Sequence, residues 1–256
     1  MLNRVKSIKG YKLNGLDGEI GTVKEFFFDD RFWTIRYLVA DTGNWLGEWQ
    51  VLISPFALTA VNVEDKTVVV ELTKKQIEES PSLASDKPVS RQYEEEYSNY
   101  YGWPMYWSGP YMWGLQPGLL PNREKWREPT QSKDSWDPHL RSTQDVMGHA
   151  IQTNDGKIGH VEDFIFDDET WAIRYFVIDT KNFGLGKLIL LSPRWIENID
   201  WVQKKVIVAL SRDAIQGSPE FLQDSLLTRE YETDLHRHYN RHGYWIDELN
   251  AKEKHH

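Results

Sequence analysis

The sequence predicts a mainly β protein, built as two tandem small antiparallel β-barrels with short helical appendages and related by a pseudo-twofold axis. Three observations carry that expectation. The chain repeats itself at a fixed offset, each copy is written in short alternating apolar segments, and turn-forming residues punctuate those segments. Adding 138 to a residue number in the first half gives its counterpart in the second, without a gap from Ile8/Val146 to Trp107/Trp245. About a third of these aligned positions are identical. Residues 1–107 form the first repeat with a helix and an aromatic tail, 108–140 a Pro- and Trp-rich linker, and 141–256 the second repeat with its own helix.

In chain order, Asp17-Gly18 and Asp155-Gly156 read as two-residue hairpin turns, because glycine tolerates the positive φ such turns demand. In the following strand, Gly21 and Val23 have one parity while Phe26 and Phe28 have the other. A regular strand cannot bury both sets on one side, so a β-bulge is expected near Lys24-Glu25. "TIRYLVA" and "AIRYFVI" alternate. Ile35, Tyr37 and Val39 are identical in the second copy, which makes theirs the core face. The other face, with Arg36, Leu38 and Ala40, is too apolar for free solvation, so a helix, the other half or a partner must cover it. Short strands follow at "WQVLIS", "ALTAVNV" and "TVVVEL", and recur in the second half. Thr73 and Gln76 then stand at capping-box spacing. A second helix starts after Ser90 or Thr228, and each copy closes in an aromatic tail, "YYGWPMYW" and "HYNRHGYW".

These ordered segments resemble the PRC-barrel family. They are "DGEIGTV", "FFFDD", "IRYLVAD", "VLISP" and "VVVELTKKQIEESP", repeated as "DGKIGHV", "FIFDD", "IRYFVID", "LILLSP" and "VIVALSRDAIQGSP". The family includes the cytoplasmic domain of the photosynthetic reaction centre H subunit and the C-terminal domain of a ribosome maturation factor. The resemblance implies a small β-barrel that binds other proteins. It implies, second, a peripheral subunit that tunes a photosynthetic or respiratory electron-transfer complex. The chain lacks the H subunit's transmembrane helix and the maturation factor's N-terminal barrel, so neither job transfers by fold alone.

Composition narrows the classes. The net charge is −9 with pI near 5.4, which disfavours a nucleic-acid partner. There is no cysteine, which removes thiol nucleophiles, disulfides and thiolate metal sites. No signal-peptide core or membrane-length apolar run is seen. A soluble bacterial cytoplasmic protein is expected, with peripheral membrane association and homo-oligomerisation compatible with the sequence. The terminal histidines of "KEKHH" carry no weight.

Several constellations invite chemistry. Asp41-Thr42-Gly43 has the tripeptide of an aspartic protease, and Asp179-Thr180-Lys181 stands in the same place in the second copy. A shared-proton dyad would not tolerate Lys181 at the tight turn, so each Asp reads better as a strand end that accepts bonds from loop amides. A hydrolase with a site between the halves is thus the last alternative. Asp29-Asp30 and Asp167-Asp168 offer hard oxygen ligands, but read first as polar loop starts. His238 and His242 lie four apart, a workable metal pair on a helix face, and otherwise mark a solvated helix end. Arg36 and Arg174 could clamp a partner carboxylate, although an internal salt bridge is their simpler use. Tyr101, Trp103, Tyr106, Trp107, Tyr111 and Trp113 form an aromatic stretch suited to a partner surface, to membrane headgroups or to packing over an open sheet edge. No catalytic residue, cofactor or firm metal site is assigned, and the expected function is a non-enzymatic binding or adaptor module.

Overall fold

The computed structural model describes all residues except 44–45, 47–48, 82, 85–88, 90, 104, 106–139, 181–185, 224–225 and 254–256. The first copy runs β1 (Leu2–Arg4), α1 (Val5–Ile8), β2 (Lys12–Gly15), β3 (Gly18–Asp29), β4 (Thr34–Asp41), β5 (Trp49–Ile53), β6 (Leu58–Asn62), β7 (Thr67–Val70), α2 (Lys74–Glu78), β8 (Leu83–Ala84) and α3 (Arg91–Tyr101). The second runs β9 (Leu140–Ser142), α4 (Thr143–Val146), β10 (Ala150–Thr153), β11 (Gly156–Asp167), β12 (Ile173–Asp179), β13 (Leu188–Leu191), β14 (Ile196–Asp200), β15 (Lys205–Val208), α5 (Arg212–Gln216), α6 (Arg229–His238) and α7 (Tyr244–Glu253).

The strand order is β6-β7-β2-β3-β4-β5-β8 in one sheet and β13-β12-β11-β10-β15-β14 in the other. Two corrections to the expected antiparallel barrels follow. The β2–β7 and β10–β15 pairs are parallel, so both sheets are mixed. The strands at the two ends of each order do not pair, so no ladder closes among the described residues. A parallel pair needs a long connection between its strands. The sequence supplies it, because β3 to β6 intervene between β2 and β7.

The long strands β3 and β11 organise each sheet. The expected bulges are present, with register shifts between Val23 and Glu25 and between Val161 and Asp163. They let Val23, Phe26 and Phe28 all be buried, as are Val161, Phe164 and Phe166. The turns differ by one residue from expectation. Gly15 pairs with Gly18 and Thr153 with Gly156, so Leu16-Asp17 and Asn154-Asp155 are the loop residues. The turn aspartates have a second use. Asp17 accepts from Lys74 N at 2.9 Å and Asp155 from Arg212 N at 2.9 Å, each satisfying an orphan amide in the first turn of α2 or α5. The capping box at Thr73 and Gln76 forms as expected.

Both faces of β4 are buried, but the covering helix lies on the other side from that expected. Tyr37 and Val39 pack with Leu52 against Val89, Tyr93 and Tyr97, so α3 seals the Tyr37 face. Leu38 and Ala40, on the opposite face, pair in register with Phe26 and Val23 and are buried too.

The chain divides into two compact units, and neither is a continuous segment. One contains residues 7–142 and 168–171, and the other 1–6, 143–167 and 172–256. They are called below the first-repeat and second-repeat units. The strand that precedes each repeat pairs with the long strand of the other repeat. Leu2, Asn3 and Arg4 of β1 face Asp167, Phe166 and Ile165 of β11. Leu140, Arg141 and Ser142 of β9 face Asp29, Phe28 and Phe27 of β3, in the equivalent register.

No helix among the described residues is long and apolar enough to cross a membrane.

Candidate interaction site

Each copy pins its helix to its sheet with a buried tyrosine–glutamate pair. Tyr37 donates its hydroxyl to Glu94 at 2.9 Å, and Tyr175 to Glu232 at 2.9 Å. Tyr37 and Tyr175 come from the retained Tyr-x-Val strand, while Glu94 and Glu232 lie on α3 and α6. Burial pushes the Glu232 carboxyl up, although Tyr175 and Arg229 oppose this. Arg229 reaches that carboxylate at 2.9 Å. The glutamates therefore tie helix to sheet in the same way in both copies.

The two retained arginines are interior. Arg36 is fully buried and its guanidinium lies 3.5 Å from Asp29. Arg174 is 5% exposed, pairs with Asp167 and Glu248 at 2.8 Å each, and stacks over the Tyr244 ring at 4.0 Å. Both adopt the internal salt bridge rather than a solvent-facing clamp. Asp29 also accepts from Arg31 N at 2.8 Å, and Asp30 takes Arg141 at 3.1 Å, as polar loop starts do. Asp41 accepts from Gly43 N at 3.0 Å, which fits the loop-amide reading of its strand end.

The histidine pair does not assemble. Helix α6 ends at His238, and Asn240 takes a left-handed φ of 52° beyond it. Four-residue helical spacing therefore does not extend to His242. His238 Nε2 lies 2.6 Å from Ala214 O, whereas His242 faces Asp247 at 3.3 Å.

The aromatic stretch begins inside the first-repeat unit. Tyr97 lies edge-on to Tyr101 at 4.9 Å, Tyr101 stacks on Trp103 at 4.3 Å, and Trp103 stacks on Phe56 at 6.3 Å. Tyr100 crosses Tyr101 edge-on at 4.8 Å. The Tyr100 and Tyr101 hydroxyls both donate to Gln76 O, at 3.1 and 3.3 Å, which fixes the rings against α2. The Tyr97 hydroxyl donates to Leu52 O. Phe56 is nevertheless 42% exposed and Tyr100 41%. Phe56 and Tyr100 are thus the exposed rings of the group, while Tyr101 and Trp103 are half-buried against the core. Tyr106, Trp107, Tyr111 and Trp113 lie outside the described residues.

The second copy treats the same positions differently. Phe56, Tyr100 and Trp103 correspond to Arg194, His238 and Arg241. Arg194 pairs with Asp247 of α7, and Trp245 of α7 lies edge-on to His236 at 5.1 Å. That end of the second-repeat unit is polar and closed by its own helix. Sequence reasoning found Tyr101 and Trp103 but missed Phe56. It sits in a 3-10 turn, Pro55–Ala57, 47 residues before Trp103, and only folding brings the two together. The available signal was its replacement by Arg in the other copy.

Two copies of one bent-strand β unit, each sealed by a helix through a Tyr–Glu pair, define a duplicated small-β-domain protein. The model of the PRC-barrel domain matches residues 3–77 and 142–215, together more than half of the chain. The chain belongs to the PRC-barrel family, as a tandem duplication of the domain. No curated protein matches its sequence. Each matched segment opens within a strand, β1 or β9, that pairs here with the other repeat.

Proposed function

We propose that the protein is a non-enzymatic binding module whose first-repeat unit presents Phe56, Tyr100, Tyr101 and Trp103 to a protein partner. One observation supports this above the rest: Phe56 and Tyr100 remain two-fifths exposed beside the half-buried Tyr101–Trp103 stack in one copy, where the other copy has Arg194 and His238 at the two exposed positions and Arg194 pairs with a further helix. Rigid aromatic side chains lose little entropy on docking and dominate interface energetics. The grouping serves an adaptor better than a catalyst, because its polar atoms are spent on backbone carbonyls that hold the rings.

The test is crosslinking capture with the full chain and with Phe56→Arg, which installs the second copy's residue at an exposed position. A partner captured by the wild type and lost in Phe56→Arg, at unchanged thermal stability, supports the reading. Equal capture by both proteins overturns it. Performing the capture on membrane extracts as well as soluble ones addresses the peripheral-subunit alternative, which requires membrane redox subunits among the captured proteins.

A further inference from the structure

The second-repeat unit gathers one imidazole and two carboxylates on one side of its sheet. His160 of β11 pairs in register with Asp179 of β12. Glu162 lies two residues along, where the bulge between Val161 and Asp163 interrupts the ladder. Ligand-capable atoms of His160, Glu162 and Asp179 all lie within 4.8 Å of one another, and each residue is half-buried. His160 Nε2 is 3.8 Å from Glu162 Oε2. The backbone beneath is close-packed, since a Cβ on Gly159 would stand 2.6 Å from Asp179 O. The ladder pairing of His160 with Asp179 holds that end of β12 against β11.

A positive charge already sits in this cluster. The Lys6 ammonium contacts Glu162 Oε1. The barrel frame does not require these side chains, because the first copy has Thr22, Lys24 and Asp41 at the same positions, with the same bulge and a still closer glycine, Gly21. The three-ligand set is thus particular to the second copy.

We propose that His160, Glu162 and Asp179 form a binding site for a borderline first-row divalent ion of the zinc type, which competes with the Lys6 ammonium for Glu162. One nitrogen and two carboxylate ligands suit such an ion and leave a fourth tetrahedral position to water. They are too few oxygens for calcium and lack the octahedral oxygen set that magnesium prefers. Small side-chain rotations bring atoms 4.8 Å apart to tetrahedral ligand separations, and the register pairing of His160 with Asp179 keeps the rotations short. The inference does not rest on the aromatic surface, which belongs to the other unit.

The experiment is calorimetric titration of the full chain with zinc chloride, with magnesium chloride as the hard-ion control, on wild type, His160→Ala and Lys6→Met. All three keep the terminal histidines, so weak binding there is common to the set. Binding of one zinc by the wild type, weakened at least tenfold in His160→Ala and tightened severalfold in Lys6→Met, is the expected result. Equal zinc affinity in wild type and His160→Ala means adventitious binding elsewhere and overturns the site. An affinity unmoved by Lys6→Met overturns the competition. Asp179→Asn, which keeps the shape of the side chain, repeats the test should His160→Ala unfold.

Discussion

Arg4 donates through Nε to Asp163 at 3.0 Å, across 159 residues of chain, and the Asp163 side chain is fully buried. The two residues join the first strand of the protein to the long strand of its second repeat. Asp163 also accepts from Lys6 N at 3.1 Å, so its carboxylate latches the segment on both sides of α1's start. The counterparts in the first-repeat unit are Glu25 and Ser142, and Ser142 donates to Glu25. Each exchanged strand is therefore held by an acid placed at the bulge, with a charged donor in one copy and a hydroxyl in the other.

Arg4→Met leaves a buried carboxylate with its amide donors alone. Losing a charge-assisted bond to a buried acid costs about 2 kcal/mol, or roughly an 8 °C fall in Tm for a unit of this size. The location is the sharper expectation. Hydrogen exchange should accelerate in β1 and at Ile165–Asp167, while β2, which follows β1 closely in sequence, keeps its protection. Loss of protection in β2 instead would contradict the exchanged pairing.

Gly21 and Gly159 have a steric role common to both copies. A Cβ would stand 2.1 Å from Asp41 O at Gly21 and 2.6 Å from Asp179 O at Gly159, and backbone must move in either case. Overpacking of this kind costs about 1–3 kcal/mol. Gly21→Ala is expected to lower stability more than Gly159→Ala, which chemical denaturation of the two variants checks directly.

His236 gives the second-repeat unit a pH response. Burial holds its imidazole down at about 4, with Arg194, His242 and Arg229 pushing the same way and its bond to His242 O opposing them. The unfolded chain protonates near the ordinary value and the folded chain does not. The contribution is therefore fully present above about 6.5 and is lost as pH falls from there towards about 4. Its size is about 2 kcal/mol after allowing for residual solvent screening. Glu232 has a raised carboxyl and contributes with the opposite slope, so the comparison must be between variants. Thermal unfolding of the wild type should lose stability between pH 7 and 5 more steeply than His236→Asn. Parallel curves would remove His236 as the cause.

Much of the fold was legible because it is local. The bulge followed from two parity sets, Gly21/Val23 and Phe26/Phe28, that one regular strand cannot bury together. The capping box at Thr73 and Gln76 needs only a spacing of three. The Tyr-x-Val face was correctly read as buried, but what covers it was not, because amphipathic pattern gives a face without naming its neighbour. The parallel β2–β7 pair was missed for a related reason: alternation is the same in parallel and antiparallel ladders. At the candidate site, Tyr101 and Trp103 were visible as an aromatic run, whereas Phe56 joins them only through folding.

By itself the sequence determined that one domain is present twice, where most of its strands and its first caps fall, and that the Ile35, Tyr37 and Val39 face is core. Burial and capping are written in residue spacing, and the duplication made that spacing readable twice. Only the tertiary structure decided that β1 and β9 are exchanged, that the retained arginines face inward, and that His160, Glu162 and Asp179 share a side of the sheet. A backbone ladder forms equally well with either copy's opening strand, so local pattern is silent on the partner. The choice falls to long-range contacts such as Arg4 with Asp163.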